Sequence, residues 1–298
     1  MNKETGEILD EIQPAFIKSG SLIIPPEERK RRKMFADYDR ERVMKQYLNS
    51  DLGNFVIVNQ TEQFNGVTPI NVTRLIMLST YLNYDDNKIM IKPKKQMCRS
   101  DLANVLKISE PTVTRFLQEV CPEYIIDTVS GLQFNPKHFK RGKINEKEYI
   151  QIMKIYSAPI RQLYYTTDFK NHKYLGYVYK MLSYVNIEYN LLCENIFEQN
   201  AELINLLTFK DFALKIGYDI THLNRLYEVY KNFEFVTLQG NKENLILFVS
   251  DLNSDDIAKK RVIVNPHIFY VGSNYQNVYA LIPFFKSTKR KKKNKEDI

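Results

Sequence analysis

Long apolar runs are missing from this 298-residue sequence. No stretch reaches the roughly 18 consecutive apolar residues that a membrane-spanning helix requires. The first ten residues are mostly polar, whereas a secretory signal peptide has a charged start followed by an apolar core. We therefore expect a cytoplasmic protein that has no membrane partner.

Catalytic and metal-binding motifs are equally scarce. The three cysteines, Cys98, Cys121 and Cys193, lie far apart and include no Cys-x-x-Cys pair of the kind that holds zinc or forms a redox dithiol. We expect them to be buried thiols. The sequence also lacks a Gly-x-x-x-x-Gly-Lys phosphate loop, a His-x-x-x-His pair and a Gly-x-Ser-x-Gly elbow. It thus predicts a protein that is not an enzyme and that uses no cofactor or metal.

Positive charge is present, but it is concentrated in two short segments. The formal net charge is +8, of which residues 286–298 contribute +5 and residues 28–33 contribute +4. The remainder of the chain therefore carries about −1. Basic arms attract the phosphates of nucleic acids without recognising a base sequence. A specific function has to be argued from motifs in the rest of the chain.

The order of predicted elements indicates a mainly α fold with small β wings. Two tandem winged helix-turn-helix domains are predicted, joined by a helical connector in which Ile150, Met153 and Tyr156 recur at helical spacing. The five predicted segments are a basic N-terminal arm with a short helix (1–49), a first winged-helix domain (50–143), the connector (144–168), a second winged-helix domain (169–285) and a basic C-terminal tail (286–298).

Residues 100–120 have the pattern of a helix-turn-helix. Ala103 is the small residue at which a second helix can cross the first, Lys107 occupies the left-handed turn position, and Ser109 is a good N-cap. The second helix is expected to bury Val113, Phe116, Leu117 and Val120. Its outward residues would be Thr112, Thr114, Arg115 and Gln118, all of which can hydrogen-bond to bases or phosphates.

The helix-turn-helix pattern recurs about 110 residues later. Shifting the sequence places Ala103 on Ala213, Lys107 on Gly217, and Arg115 on Arg225. Two other landmarks repeat in the same order: residues 81–87 resemble residues 184–190, and the Asn-Pro at 135–136 recurs at 265–266. Three matched landmarks indicate an internal duplication. The outward set of the second unit would be Thr221, His222, Asn224 and Arg225.

Double-stranded DNA is the expected partner. Residues 88–121 carry seven basic and three acidic side chains, whereas residues 207–231 carry four and three. The second unit is therefore predicted either to bind a weaker half-site or to serve in dimerisation, which leaves a homodimer open. A helical bundle that does not contact DNA would show a similar spacing of apolar residues and is the structural alternative. The predicted DNA-contacting residues are Arg99, Ser109, Thr112, Thr114, Arg115, Gln118, Lys137, Lys140, Arg141, Thr221, His222, Asn224 and Arg225.

The predicted elements follow the order strand, helix, helix pair, short hairpin and closing Asn-Pro-x-x-Phe. This order resembles that of the winged-helix replication proteins of plasmids and phages of Gram-positive bacteria, and more distantly that of MarR-type regulators. This resemblance implies a sequence-specific binder of a replication origin that recruits a host helicase or helicase loader. A transcriptional repressor or activator would need the same DNA contacts and is the first alternative. A DNA strand-transfer or nuclease enzyme is the second, because His222 and Arg225 match the His-x-x-Arg of tyrosine recombinases.

Overall fold

A computed structural model describes residues 30, 53–59, 64–84, 86–142, 152–250, 255–270 and 276–287. The chain divides into two units, Met1–Gln46, of which only Lys30 is described, and Tyr47–Ile298. The short helix predicted within 1–49 and the tail beyond Ser287 lie outside the described residues.

The elements of Tyr47–Ile298 form two halves. The first contains β1 (Phe55–Asn59), α1 (Pro69–Ser79), β2 (Met90–Lys92), β3 (Lys95–Gln96), α2 (Leu102–Leu106), α3 (Glu110–Val120), β4 (Ile125–Thr128), β5 (Gly131–Phe134) and β6 (Phe139–Lys140). The second contains β7 (Ile152–Tyr156), α4 (Ser157–Thr166), α5 (His172–Lys180), α6 (Phe209–Lys215), α7 (Leu223–Tyr230), β8 (Glu234–Val236), β9 (Lys242–Asn244), β10 (Ile246–Val249), β11 (Arg261–Val264), β12 (Phe269–Tyr270), α8 (Gln276–Tyr279) and α9 (Ile282–Phe285).

One antiparallel sheet joins the two halves. Its strand order is β12-β7-β1-β6, so that the first strand of each half lies in the centre and the last strand of each half lies at an edge. Val56 of β1 pairs with Ile155 of β7. Exchanging the two halves turns this pair into the pair of Met153 with Val58, which is also present. The edge strands repeat this symmetry, since β6 pairs with β1 as β12 pairs with β7. The sheet therefore has a pseudo-twofold axis between β1 and β7.

Helices α1 and α5 pack together and form a second layer between the halves. Gly176 of α5 lies so close to Pro69 of α1 that a Cβ atom would stand 1.7 Å from the Pro69 carbonyl oxygen. Thr73 Oγ1 also donates a hydrogen bond of 2.6 Å to the His172 carbonyl. Both helices are buried along most of their length, so this crossing is a core contact.

The predicted helix pairs are confirmed in both halves. Helices α2 and α3 are separated by Lys107, which adopts the left-handed conformation at φ 54°, and α6 ends before Gly217 at φ 70°. The turn that precedes each pair is duplicated as well: Asn87 and Asn190 have φ of 52° and 53°. A positive φ is tolerated best by glycine and asparagine, which explains why asparagine occupies the preceding turn in both halves, whereas the helix pairs have Lys107 in one half and Gly217 in the other.

The fold class predicted from the sequence is wrong. The described residues form a mixed α/β structure with several small antiparallel sheets, whereas a mainly α fold with small β wings was expected. Part of the difference lies in the connector. Residues 152–156, expected to be helical, form the central strand β7, because buried Met153 and Ile155 alternate with Lys154. The helix starts at Ser157, and Pro159 stands in its first turn, where proline breaks no intrahelical hydrogen bond.

Two short strand pairs follow the second helix pair: β8 pairs with β9, and β10 pairs with β11. A tight turn sets the register of the first pair: the Thr237 N–H donates to the Asn241 carbonyl at 2.8 Å, and Gly240 has φ +83°. A turn fixes the register of the strands that follow it.

Within the described part of the chain, no helix is long and apolar enough to cross a membrane. The described residues also contain no group of three or more His, Cys, Asp or Glu side chains arranged to hold a metal ion. Of the three cysteines expected to be buried, Cys193 is buried, Cys121 is half-buried and Cys98 is exposed. Cys98 is exposed because it stands between the surface hairpin β2–β3 and the turn that precedes α2.

Candidate nucleic-acid interface

Helix α3 has one buried and one exposed face, as the sequence predicts. Val113, Phe116, Leu117 and Val120 are all buried in the core. Arg115 and Gln118 are exposed, and Thr112 and Thr114 are half-buried. Arg115 and Gln118 are three positions apart, so their side chains are neighbours on the helix surface. The face therefore presents a cation and an amide side by side.

The start of α3 differs in detail from the prediction. Ser109 occupies the N-cap position, but its side chain accepts no backbone N–H. Its hydroxyl is hydrogen-bonded to the hydroxyl of Thr112 at 2.9 Å instead. The two hydroxyls therefore form a small polar pair at the N-terminal end of the exposed face.

Arg99 is tied directly to α3. Its Nη2 donates a hydrogen bond of 2.9 Å to Thr114 Oγ1, which in turn donates to the Glu110 carbonyl at 3.3 Å. On the next position of the helix, Arg115 Nε contacts the Pro111 carbonyl at 3.4 Å. These contacts bring two guanidinium groups to the same helix, so the predicted residues Arg99, Thr114 and Arg115 do form one surface.

Glu119 anchors α3 to the beginning of α1, which sequence reasoning missed. The Thr68 backbone N–H and the Asn71 side-chain amide both donate to its carboxylate, the amide at 2.7 Å. Asn71 in turn accepts a hydrogen bond from buried Arg74. A negative charge at a helix N-terminus is favourable, whereas the same charge near the C-terminus of its own helix is not. That unfavourable position was the available clue that Glu119 serves another helix.

We expect Glu119→Gln to lower the free energy of unfolding by about 1 to 2 kcal/mol, because it removes a charged acceptor from the α1 N-terminus. Urea denaturation measures the change. The matched control is Glu228→Gln on α7, where the carboxylate makes only a 3.6 Å surface pair with Lys231 and the expected loss is below about 0.5 kcal/mol. Equal losses in the two variants would contradict the anchoring role.

The C-terminal end of α2 is also braced by a neighbouring helix. Tyr164 of α4 donates its hydroxyl to the Leu106 carbonyl at 2.7 Å, and Tyr165 donates to the Val105 carbonyl at 2.9 Å. Burial raises the pKa of Tyr164, so its hydroxyl stays protonated and remains a donor. The last carbonyls of a helix have no intrahelical partner. The two tyrosines therefore fix the first helix pair against the second half.

The three basic residues predicted to follow the first hairpin are dispersed. Lys137 is exposed and forms a 3.1 Å ion pair with Glu123. Lys140 is half-buried in β6, opposite Ile57 of the central sheet. Arg141 is half-buried and donates to the Leu82 carbonyl at 2.9 Å. Burial and nearby Arg161 lower the pKa of Arg141. Lys137 is thus the member of this group whose charge is most accessible.

The second predicted set is exposed throughout, but it is split between two elements. Thr221 and His222 lie in a 3-10 turn, Ile220–His222, and the helix begins only at Leu223. The Thr221 hydroxyl and N–H both donate to Asp219, at 2.7 and 2.9 Å, which lowers the pKa of that carboxyl. Asn224 and Arg225 are exposed on α7, and the Arg225 guanidinium lies 5.9 Å from the centre of the Tyr174 ring.

The surroundings of Arg225 are of mixed charge. A surface cavity of about 600 Å³ is lined by Arg225 and Lys242, and also by the carboxylates of Asp168, Glu228 and Glu234. Glu228 stands 110 positions after Gln118 and is exposed like it. The second helix pair thus carries a carboxylate where the first carries an amide, and a carboxylate repels phosphate.

Comparison with protein-family models, with curated proteins and with solved structures gives no significant match to this chain. A function must therefore be argued from the geometry and charge of the described residues and from the motif order of the sequence.

Proposed function

We propose that this protein binds double-stranded DNA with sequence specificity and that α3 enters the major groove. The observation that carries the proposal is the exposed pair Arg115 and Gln118 on a helix whose opposite face is fixed in the core. Arginine can bond bidentately to guanine, and glutamine can bond bidentately to adenine. An α-helix of about 10 to 12 Å diameter fits a groove that is about 12 Å wide.

Charge around α3 supports the same proposal. Residues 88–121 carry seven basic and three acidic side chains, which suits a surface that lies between two phosphate backbones. The corresponding segment of the second half, residues 207–231, carries four and three. The first half therefore supplies most of the affinity in this proposal. The second half contributes a weaker half-site or a contact with another protein, including a second copy of this chain.

The biological role that we propose is initiation of replication on a phage or plasmid, with a host helicase or helicase loader as a further partner. It rests on the resemblance of the motif order to winged-helix replication proteins. A repressor or activator of transcription would use the same DNA contacts. Dependence of a mini-replicon on the gene for this protein, together with a footprint at the replicon's origin, separates the two roles. A footprint confined to a promoter, with no replicon dependence, supports the regulator.

The DNA-binding proposal is tested by gel shift with a selected duplex and a random duplex over a series of salt concentrations. We expect the selected duplex to bind about 10³-fold or more tightly than the random one. Binding to both should weaken steeply as salt rises, because cations are released from the DNA. Equal affinity for the two duplexes would overturn sequence specificity, and no duplex binding at low salt would overturn the proposal.

A further inference from the structure

The hairpin β2–β3 carries a cluster of exposed lysines that have no part in the proposed binding of α3 to the major groove. Lys92, Lys94 and Lys95 are all exposed, and the turn between the strands consists of Pro93 and Lys94. Proline at the first central position of a turn restricts the backbone in advance. The hairpin therefore carries three ammonium groups within the four residues 92–95.

The arrangement of these lysines is unfavourable in the isolated protein. Lys92 and Lys95 are direct partners across the hairpin, and like charges directly opposite each other destabilise a strand pair. Lys95 is partly compensated by Asp101, at 3.0 Å. No ion pair within the described part of the chain compensates Lys92 or Lys94. An anionic ligand would relieve this repulsion.

The hairpin is continuous with the surface of α3. Asp101, which contacts Lys95, ends the turn that begins at Arg99, and Arg99 donates to Thr114 of α3 at 2.9 Å. On its other side the hairpin contacts β5, where Gln96 Nε2 donates to the Leu132 carbonyl at 3.1 Å. Lys95 is thus connected to α3 through Asp101 and Arg99.

The second half has acidic residues in the same place. Cys193 pairs with Leu206 before the second helix pair, as Met90 pairs with Gln96 before the first. The residues enclosed by the second pair include Glu194, Glu198 and Glu202 and contain no lysine or arginine. One half therefore presents only cations at this position and the other presents only anions, which shows that the fold itself does not require the lysines.

We propose that the hairpin β2–β3 is a second DNA-binding element, which holds the phosphate backbone beside the groove that α3 occupies. The inference rests on the proposed function of α3. Lysine ammonium groups contact phosphates without distinguishing bases, so the hairpin adds affinity equally for every sequence. The corresponding segment of the second half carries glutamates and no lysine, so this particular contact is made by the first half alone.

The test is the double variant Lys92→Ala/Lys94→Ala in the full chain, measured by gel shift on selected and random duplexes. Each lost phosphate contact should reduce the slope of log K against log salt by about 0.9. We expect the double variant to lose affinity for both duplexes by the same factor, with the slope reduced by one to two units. Its urea midpoint should stay the same or rise, because the repulsion with Lys95 is removed.

The matched control is Lys170→Ala/Lys259→Ala, which removes the same charge from two exposed positions of the second half. The control should keep the slope of the unaltered protein. Equal slopes in the two double variants, with specific binding retained, would overturn the hairpin proposal alone. Loss of preference for the selected duplex in the hairpin variant would also overturn it, since that assigns base recognition to the lysines. Failure of the unaltered protein to bind duplex DNA would overturn this inference together with the proposed function.

Discussion

Replacing Gly176 with alanine is expected to lower the free energy of unfolding by about 3 kcal/mol or more, at the upper end of the usual cost of overpacking a core. The added Cβ would lie 1.7 Å from the Pro69 carbonyl oxygen and 2.3 Å from its carbonyl carbon. These are backbone atoms inside a packed helix crossing, so they cannot move aside as a flexible side chain would. Helices α1 and α5 would have to separate, and both are largely buried.

The sign of this change is diagnostic. Glycine to alanine inside an unobstructed helix normally stabilises a protein by roughly 0.5 to 1 kcal/mol. The control is Lys173→Ala on the same helix, where the side chain is exposed and a change within about 0.5 kcal/mol is expected. Urea denaturation of both variants measures the difference. A Gly176→Ala variant as stable as the unaltered protein would show that α1 and α5 do not cross at this point.

The position of Gly176 follows from the duplication. A shift of 103 residues places Pro69 on His172 and Thr73 on Gly176, the same shift that relates Asn87 to Asn190. Across the crossing, Thr73 contacts His172 while Gly176 contacts Pro69. The two halves thus meet through two equivalent contacts. In one of them the Thr73 hydroxyl donates to the His172 carbonyl, and in the other the missing side chain of Gly176 lets the helix backbones approach closely.

Local features of the fold could be predicted from the sequence. Each helix pair is specified by a short periodic pattern and by a turn residue at Lys107 or Gly217, so its position does not depend on distant residues. The alternation of buried and exposed positions on α3, from Val113 to Val120, followed from helical periodicity alone. The repeated Asn-Pro landmarks also predicted the duplication, which the symmetric sheet register now shows in the structure.

Long-range features could not be predicted in the same way. Strands β6 and β12 have two residues each, too few to show an alternating pattern, and they are strands only because β1 and β7 lie beside them. Met153 and Tyr156 are three positions apart, which fits the repeat of a helix, yet both residues lie in the strand β7. The role of Glu119 depends on a partner that lies 51 residues away in the sequence. Such contacts become visible only when the halves are assembled.

Arg115→Ala is expected to weaken binding of the selected duplex by about 1 to 3 kcal/mol, or roughly 5- to 150-fold, and to relax base preference at one position. Arg115 is exposed, and the contact of its Nε with the Pro111 carbonyl is long, at 3.4 Å. Giving up this contact costs little, so the guanidinium is available to a guanine. Binding of the random duplex should fall much less, since only one positive charge is lost.

The equivalent variant of the second half, Arg225→Ala, serves as the control for Arg115→Ala. Arg225 lies near Tyr174 and lines the same cavity as Asp168 and Glu228. These neighbours favour a structural role for Arg225 over a contact with DNA. We therefore expect a smaller loss of specific affinity and no change in base preference, measured on duplexes substituted one base pair at a time. A larger effect at Arg225 than at Arg115 would transfer base recognition to α7. Unchanged binding in both variants would mean that neither helix lies in the groove, because a bidentate arginine contact cannot be removed without loss of specificity.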